Sequence, residues 1–407
     1  MGSEKKLDIL ALSSIPLVMT LGNSMLIPVL PQLEKKLAIT GFQSSLIITV
    51  YSIFAILCIP IAGYLSDRFG RKKVLIPSLI IAGMGGLICG FASIYGTNAY
   101  VFIIIGRVVQ GIGAAGAFPV VIPTVGDLYE NDDEITKGLG LIETSNTFGK
   151  VLSPVLGALF AAWIWFIPFF SIPVFSLLSI LLIVLLVKVP IRQKEGEAKQ
   201  TIKEFVHEVG VILRREKKWI FGIFIIGIVS MFTLFGFLYY LSTRLEQAYG
   251  MDGVMKGLYL AIPLLFLCLT SYITGKVIGK GKDKMKWVIV FASLLSSVAF
   301  IPLIFTEGKW MILIIFSVAG IGMGAALPCL DALITEGIEK EHRGTITSIY
   351  SSMRFTGVAA GPPLVALIEP FHTFITFIVL SILSSLVGML FIKVQGNTPQ
   401  VISTKKA

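Results

Sequence analysis

Asn146 and Lys150 follow Glu143 by three and seven residues, a spacing that puts all three on one face if the stretch is helical. Arg107 lies about ten residues into a second apolar stretch, too deep for its guanidinium to reach the aqueous boundary comfortably. Arg354 lies inside a third. An arginine so placed costs at least about 2.5–3.5 kcal/mol unless paired or hydrated. Glu143 is its expected partner, because Asp127 and Asp331 fall near the ends of their stretches. Desolvation favours a neutral carboxyl and nearby cations favour the charged form, so a carboxylate balanced between them can exchange protons near neutral pH. Glu143 and Arg107 are therefore the candidate proton-coupling pair. The same residues would also build a static bridge, from Glu143 to Lys150 or to Arg107. Together the three cations Arg107, Lys150 and Arg354 stand against one deep anion, which suits a solute with anionic or hydrogen-bond-accepting groups. Asn23, Gln110, Asn146 and Tyr239 are further candidate cavity residues, with Tyr51, Phe235, Tyr240 and Phe355 as candidate apolar walls.

Side chains of this kind need an apolar scaffold, and the composition supplies one. Of 407 residues 55% are hydrophobic and only 14% charged, against about 25% charged in an ordinary globular domain. The mean hydropathy is +0.87. A spanning helix takes about 20 apolar residues. Twelve such stretches are expected, at 8–31, 43–65, 74–94, 98–123, 138–161, 165–187, 219–242, 255–278, 287–305, 310–332, 344–368 and 371–392. The N-terminus runs straight into a full span without a cleavage site, so no removable signal peptide is expected. Net charge is +10, and with the N-terminus inside, 26 of the 34 Lys and Arg fall on cytoplasmic segments. Lys35, Lys36, Arg244, Lys256 and Lys309 fall outside. That asymmetry is the positive-inside rule at work, so the basic charge reports orientation rather than nucleic-acid binding. Both termini are expected in the cytoplasm.

The chain reads as duplicated. "QLEKKLAITGF" (32–42) is echoed by "RLEQAYGMDGV" (244–254), 212 residues on, and "GIGAAGAFP" (111–119) by "GIGMGAALP" (320–328), 209 on. Such self-similarity marks a transporter of six plus six spans. The expected domains are an N-terminal bundle over 1–187, a polar cytoplasmic linker over 188–218 that turns amphipathic from about 201, and a C-terminal bundle with a short tail over 219–407.

The loop "GYLSDRFGRKK" (63–73) carries more order than topology requires, since its counterpart "GKVIGKGKDKMK" (275–286) keeps basic charge but loses the pattern. Gly63, Leu65, Asp67, Arg68, Gly70, Arg71 and Lys72 resemble the cytoplasmic signature G-x-L-A-D-R-x-G-R-K of the major facilitator superfamily, with Ser66 in place of Ala. "LGNSMLIPVLP" (21–31) is similar to the first-span signature of its twelve-span drug:proton antiporters, and Arg107 with Gln110 fits the fourth-span motif, whose arginine is linked to proton transfer. Gly149, Pro154 and Gly157 resemble the antiporter motif G-x-x-x-G-P-x-x-G-G, with Ser153 and Ala158 where glycines are usual, and Gly361 and Pro362 belong to a partial copy in span 11. The G-x-G-x-x-G at 111–116 lies inside a span, so it reads as helix packing and not as a dinucleotide site.

The resemblance implies an all-α integral membrane protein, with twelve transmembrane helices in two pseudo-symmetric six-helix bundles. It implies a loop that latches the halves through Asp67, Arg71 and Asp127, and proton-coupled export by alternating access of a drug or metabolite, with phenolic, siderophore-like or lipid-linked compounds fitting the cationic balance. The alternative reading is an importer or facilitator of a small organic anion. An enzyme is not expected: His207, His342 and His372 lie in loops, and Cys58, Cys89, Cys268 and Cys329 lack paired spacing. Nor is there a G-x-x-x-x-G-K-[S/T] run for ATP. The expected setting is the plasma membrane, as a monomer, with substrate, protons and lipid as partners and no cofactor or metal.

Overall fold

A computed structural model describes residues 3–95, 98–128, 132–187, 210–211, 217–278, 281–306, 308–338 and 340–392. We number its long helices α1 (Ser3–Ser24), α2 (Leu30–Leu37), α3 (Gly41–Phe69), α4 (Arg71–Tyr95), α5 (Ala99–Leu128), α6 (Asp132–Trp163) and α7 (Ile167–Leu186) in the first half. The second half has α8 (Lys217–Gln247), α9 (Gly253–Val277), α10 (Lys282–Phe300), α11 (Lys309–Glu336), α12 (Lys340–Leu367) and α13 (Pro370–Phe391). Each of the twelve expected stretches falls on one of these, with α1 and α2 sharing the first. Pro28 and Pro31 donate no backbone bond, and the chain between α1 and α2 tightens into a 3-10 turn at Ile27–Val29. Most of the expected linker, with its amphipathic helix, lies outside the described residues.

Among the described residues, ten spans are long and apolar enough to cross a membrane on composition alone. The two that fall short are α6 and α12, which occupy equivalent places in the two halves. They hold Glu143, Asn146 and Lys150 in one, and Ser348, Ser351, Ser352 and Arg354 in the other. Both are also the helices that cross the divide: α3 packs on α12 and α6 on α9, while α4 with α5 and α10 with α11 pack inside their own halves. Small residues set the α6–α9 distance. A Cβ on Gly257 would lie 2.5 Å from the Pro154 carbonyl oxygen and 2.8 Å from Ala158 Cβ. Expected motif residues do the same elsewhere, Gly149 against α1, Gly157 against the Met25 carbonyl and Gly361 against the Phe232 carbonyl. Pro154 and Pro362 sit inside α6 and α12.

Candidate functional site

Between the bundles lies a cavity of about 70 Å³. Asn23, Asn146, Lys150 and Arg354 line it, and Tyr51, Phe235 and Phe355 supply aromatic wall. Lys150 is buried, at 7% exposure, and its Nζ has no hydrogen-bond partner. An ammonium held away from water without a hydrogen-bond partner is costly, and here it lines the cavity between the halves.

Glu143, Asn146 and Lys150 share a face of α6. Thr20 Oγ1 donates to Asn146 Oδ1 at 2.6 Å, and Asn146 Nδ2 donates to the Glu143 carboxylate at 3.2 and 3.3 Å. This chain fixes the carboxylate and ties α6 to α1. Arg107 departs from expectation. Its Nε donates to Ile47 O at 2.7 Å, its Nη1 to Gln110 Oε1 at 2.6 Å and to Gly22 O at 3.3 Å, and its Nη2 to Asn23 Oδ1. The guanidinium also sits 4.4 Å from the Tyr51 ring centroid. All these partners are neutral, and Glu143 is not among them. The cause is depth. At 1.5 Å per residue Arg107 lies about 12 Å from the start of α5, whereas Glu143 lies about 30 Å from the end of α6 on the same face of the membrane.

Two further placements correct the sequence reading. Gln110 is buried as an acceptor for Arg107 and does not line the cavity. Tyr239 is not in the cavity wall either: its hydroxyl donates to Gly41 O at 3.1 Å, away from the cavity, and Tyr240 packs on Phe316 and Phe374. Asp331, expected at the edge of its span, pairs with Arg354 (Nη1–Oδ1 3.2 Å) and lies within electrostatic reach of Glu143 and Lys150. The central group therefore holds two anions and two cations rather than three cations and one anion. The cavity wall itself still carries Lys150 and Arg354 and, among the residues lining it, no carboxylate.

The family model described as Major Facilitator Superfamily matches residues 12–362 and 286–406. The chain belongs to this superfamily. A relative named as a bacillibactin exporter of Bacillus subtilis (strain 168) is 56% identical over 386 residues, 95% of either chain. The class C tetracycline resistance protein of Escherichia coli is 26% identical over 85% of this chain and 86% of its own. Among solved structures, the human organic anion transporter MFSD10 aligns with TM-score 0.76 at 16% identity, covering 95% of this chain and 100% of that one. A D-xylose–proton symporter aligns with TM-score 0.74 at 17% identity, over 95% and 98%. These two likenesses concern the fold. The protein is thus a multi-pass membrane transporter of small molecules with the twelve-helix facilitator architecture.

The superfamily's loop signature is built as a local unit. Arg71 Nε donates to Asp127 Oδ2 at 2.8 Å, and Arg71 Nη1 to Ser66 Oγ at 2.7 Å, so the serine that replaces the usual alanine gains a bond. Gly70 ends α3 at φ +99°, a conformation side chains resist. Gly63 faces Ser348 of α12 at ordinary contact, and Arg68 is exposed with Nη1 donating to the Tyr64 hydroxyl at 3.1 Å. The side chain of Asp67 lies outside the described residues. The described hydrogen bonds that cross between the bundles sit at the opposite end of the molecule: Lys35 Nζ to Glu246 Oε1 (2.6 Å), Ser242 Oγ to Ile27 O (3.0 Å), Tyr239 to Gly41 and Thr49 Oγ1 to Ala359 O (2.7 Å). Glu246 is a residue that composition and motifs did not single out, and Lys256, expected only to fall on the outer side, is 2% exposed and donates to Glu246 Oε2 at 2.7 Å. The 212-residue echo, which repeats Glu34 as Glu246, was the available signal.

Proposed function

We propose that this transporter exports a siderophore-like small molecule bearing anionic or phenolic groups, in exchange for protons, by alternating access across the plasma membrane. The observation that carries the reading is the unpartnered Lys150 ammonium beside Arg354 on an aromatic-walled cavity between the bundles. A solute oxygen that reaches both cations replaces a missing hydrogen bond, so binding is favoured where the empty site is strained. The 56% identical relative named as a bacillibactin exporter supports the direction and the class of cargo. With the basic loop 63–73 in the cytoplasm, the bonds at the opposite end close the outer face, and the cargo enters from inside. A cavity of about 70 Å³ holds only about two waters, so the bundles must rock apart to admit it. Arg71 and Asp127, with Asp67, form the cytoplasmic latch that closes when the outer face opens. Glu143, held by Asn146 and near Lys150, carries the proton; Arg107 braces α5 against α1 and α3.

The test is proton flux in proteoliposomes under an imposed pH gradient, with siderophores and organic compounds of either charge added in turn. Wild type should move protons only with an anionic or phenolic siderophore-like compound, and Glu143→Gln should bind that compound without moving protons. Uptake down a gradient with no proton movement would overturn antiport in favour of a facilitator. Coupling that survives in Glu143→Gln would move the proton site to Asp331.

A further inference from the structure

The duplicated segment is repeated in structure as well as in letters, but with one substitution that changes its chemistry. In the first copy Glu34 lies in the second half of α2, which ends at Leu37, Ala38 turns the chain at φ 51°, Thr40 caps the next helix and Ser44 stands in its first turn. In the second, 212 residues on, the same places are held by Glu246, Gly250 at φ 60°, Asp252 as the residue preceding α9, and Lys256. Each copy closes the same clamp between consecutive helices. Ser44 Oγ donates to Glu34 Oε1 at 2.6 Å, and Lys256 Nζ donates to Glu246 Oε2 at 2.7 Å. In the second copy the clamp is ionic and dry, with side-chain exposures of 5% for Glu246 and 2% for Lys256. The remaining carboxylate oxygen of Glu246 takes Lys35 Nζ from the other bundle at 2.6 Å, and that lysine is 70% exposed.

We infer that Lys35, Glu246 and Lys256 form the gate that closes the face opposite loop 63–73, and that Lys35 leaves Glu246 in every transport cycle. The inference rests on the alternating-access reading but not on the identity of the cargo. The two halves of the group have different tasks. The Glu246–Lys256 pair belongs to one bundle and rides with it, so the buried carboxylate keeps a counter-charge after the gate parts; without it an uncompensated buried charge would hold the gate shut. The Lys35 arm is exposed, and water receives its ammonium on release at small cost. Ser242 to Ile27 and Tyr239 to Gly41 are neutral bonds beside it that part at the same step.

The experiment is a spin-label distance measurement on the full-length protein in nanodiscs without substrate. Labels go on Phe42→Cys and Ala248→Cys, both exposed at that face, in a background of Cys58→Ala and Cys268→Ala. Lys35→Ala should shift the distribution from the short distance to a longer one, and Lys35→Glu should shift it further. Adding Glu246→Lys to Lys35→Glu should not bring the short distance back, because the new lysine meets Lys256. Adding Lys256→Glu as a third change should, since one cation then sits between two anions. A short-distance population that ignores both Lys35 variants overturns the gate, as does a folded triple variant that stays open. No transport readout enters, so failure here and failure of the export reading are told apart.

Discussion

Lys150 shows how far a single residue can be read. Its position on the face of Glu143 and Asn146 followed from spacing, and the structure adds that its ammonium is unpartnered. Lys150→Gln should weaken binding of an anionic cargo by about 10–100-fold, the equivalent of one charge-assisted hydrogen bond. It should also raise thermal stability in detergent, because a buried ammonium that lacks a hydrogen-bond partner is removed; titration calorimetry and a melting curve on the same preparation check both. Arg107→Lys should move stability the other way. A lysine cannot reproduce the fork that reaches Ile47, Asn23 and Gln110, so stability should fall by at least about 2 kcal/mol while proton coupling in the surviving protein remains. Partners were less legible than positions. Spacing along one helix fixes a face and gives Gln110 as a neighbour three residues on, but the other acceptors of Arg107 lie on α1 and α3, and such contacts between helices leave no periodic trace in the sequence. Counting residues from the helix ends would have separated it from Glu143.

At the scale of the element, hydropathy alone marks ten spans among the described residues, and α6 and α12 are recognised as spans only by their places between apolar neighbours in the two halves. Element boundaries followed from proline and glycine chemistry, as at Pro28, Pro31 and Gly70. What hydropathy could not rank was which helices face the cavity, although polar residues concentrated in α6 and α12 already set those two apart. Their packing gives a sharp contrast between glycines. Gly257→Val should block sliding of α9 on α6, abolishing transport and lowering the melting temperature, since its added carbons would run into Pro154 and Ala158. Gly126→Ala, with no atom within 4 Å of the added Cβ, should leave transport unchanged and stabilise α5 by up to about 1 kcal/mol. If the two variants behave alike, close approach is not what the α6–α9 glycine is for.

At the scale of the whole molecule, the described bonds between bundles gather at one end while the cavity sits below them, toward loop 63–73. A cysteine at Ser351, on the cavity wall, should therefore react with a small charged maleimide faster in inside-out than in right-side-out vesicles, reaction occurring as the bundles part on the cytoplasmic side. Protection on both faces, or reaction from outside alone, would reverse the orientation assigned to the resting state. Duplication was legible in the sequence, but its purpose was not: the echo at 32–42 and 244–254 marked a transporter of six plus six spans, and only the fold shows that Ser44 and Lys256, 212 apart, close equivalent clamps with a hydroxyl in one copy and an ammonium in the other. The polarity of α6 and α12 has a consequence at birth as well as at work. Neither helix is apolar enough to partition into lipid alone, so each must wait beside the insertion machinery until a neighbour shields it. For α6 the ready shields are α1, already threaded, and α7, which follows at once; for α12 they are α8 and α3. A nascent chain that lacks α1 and is stalled before α7 should then leave α6 outside the bilayer, and variants that add polarity to the cavity should disappear as degraded nascent chains before they can be scored as poor transporters.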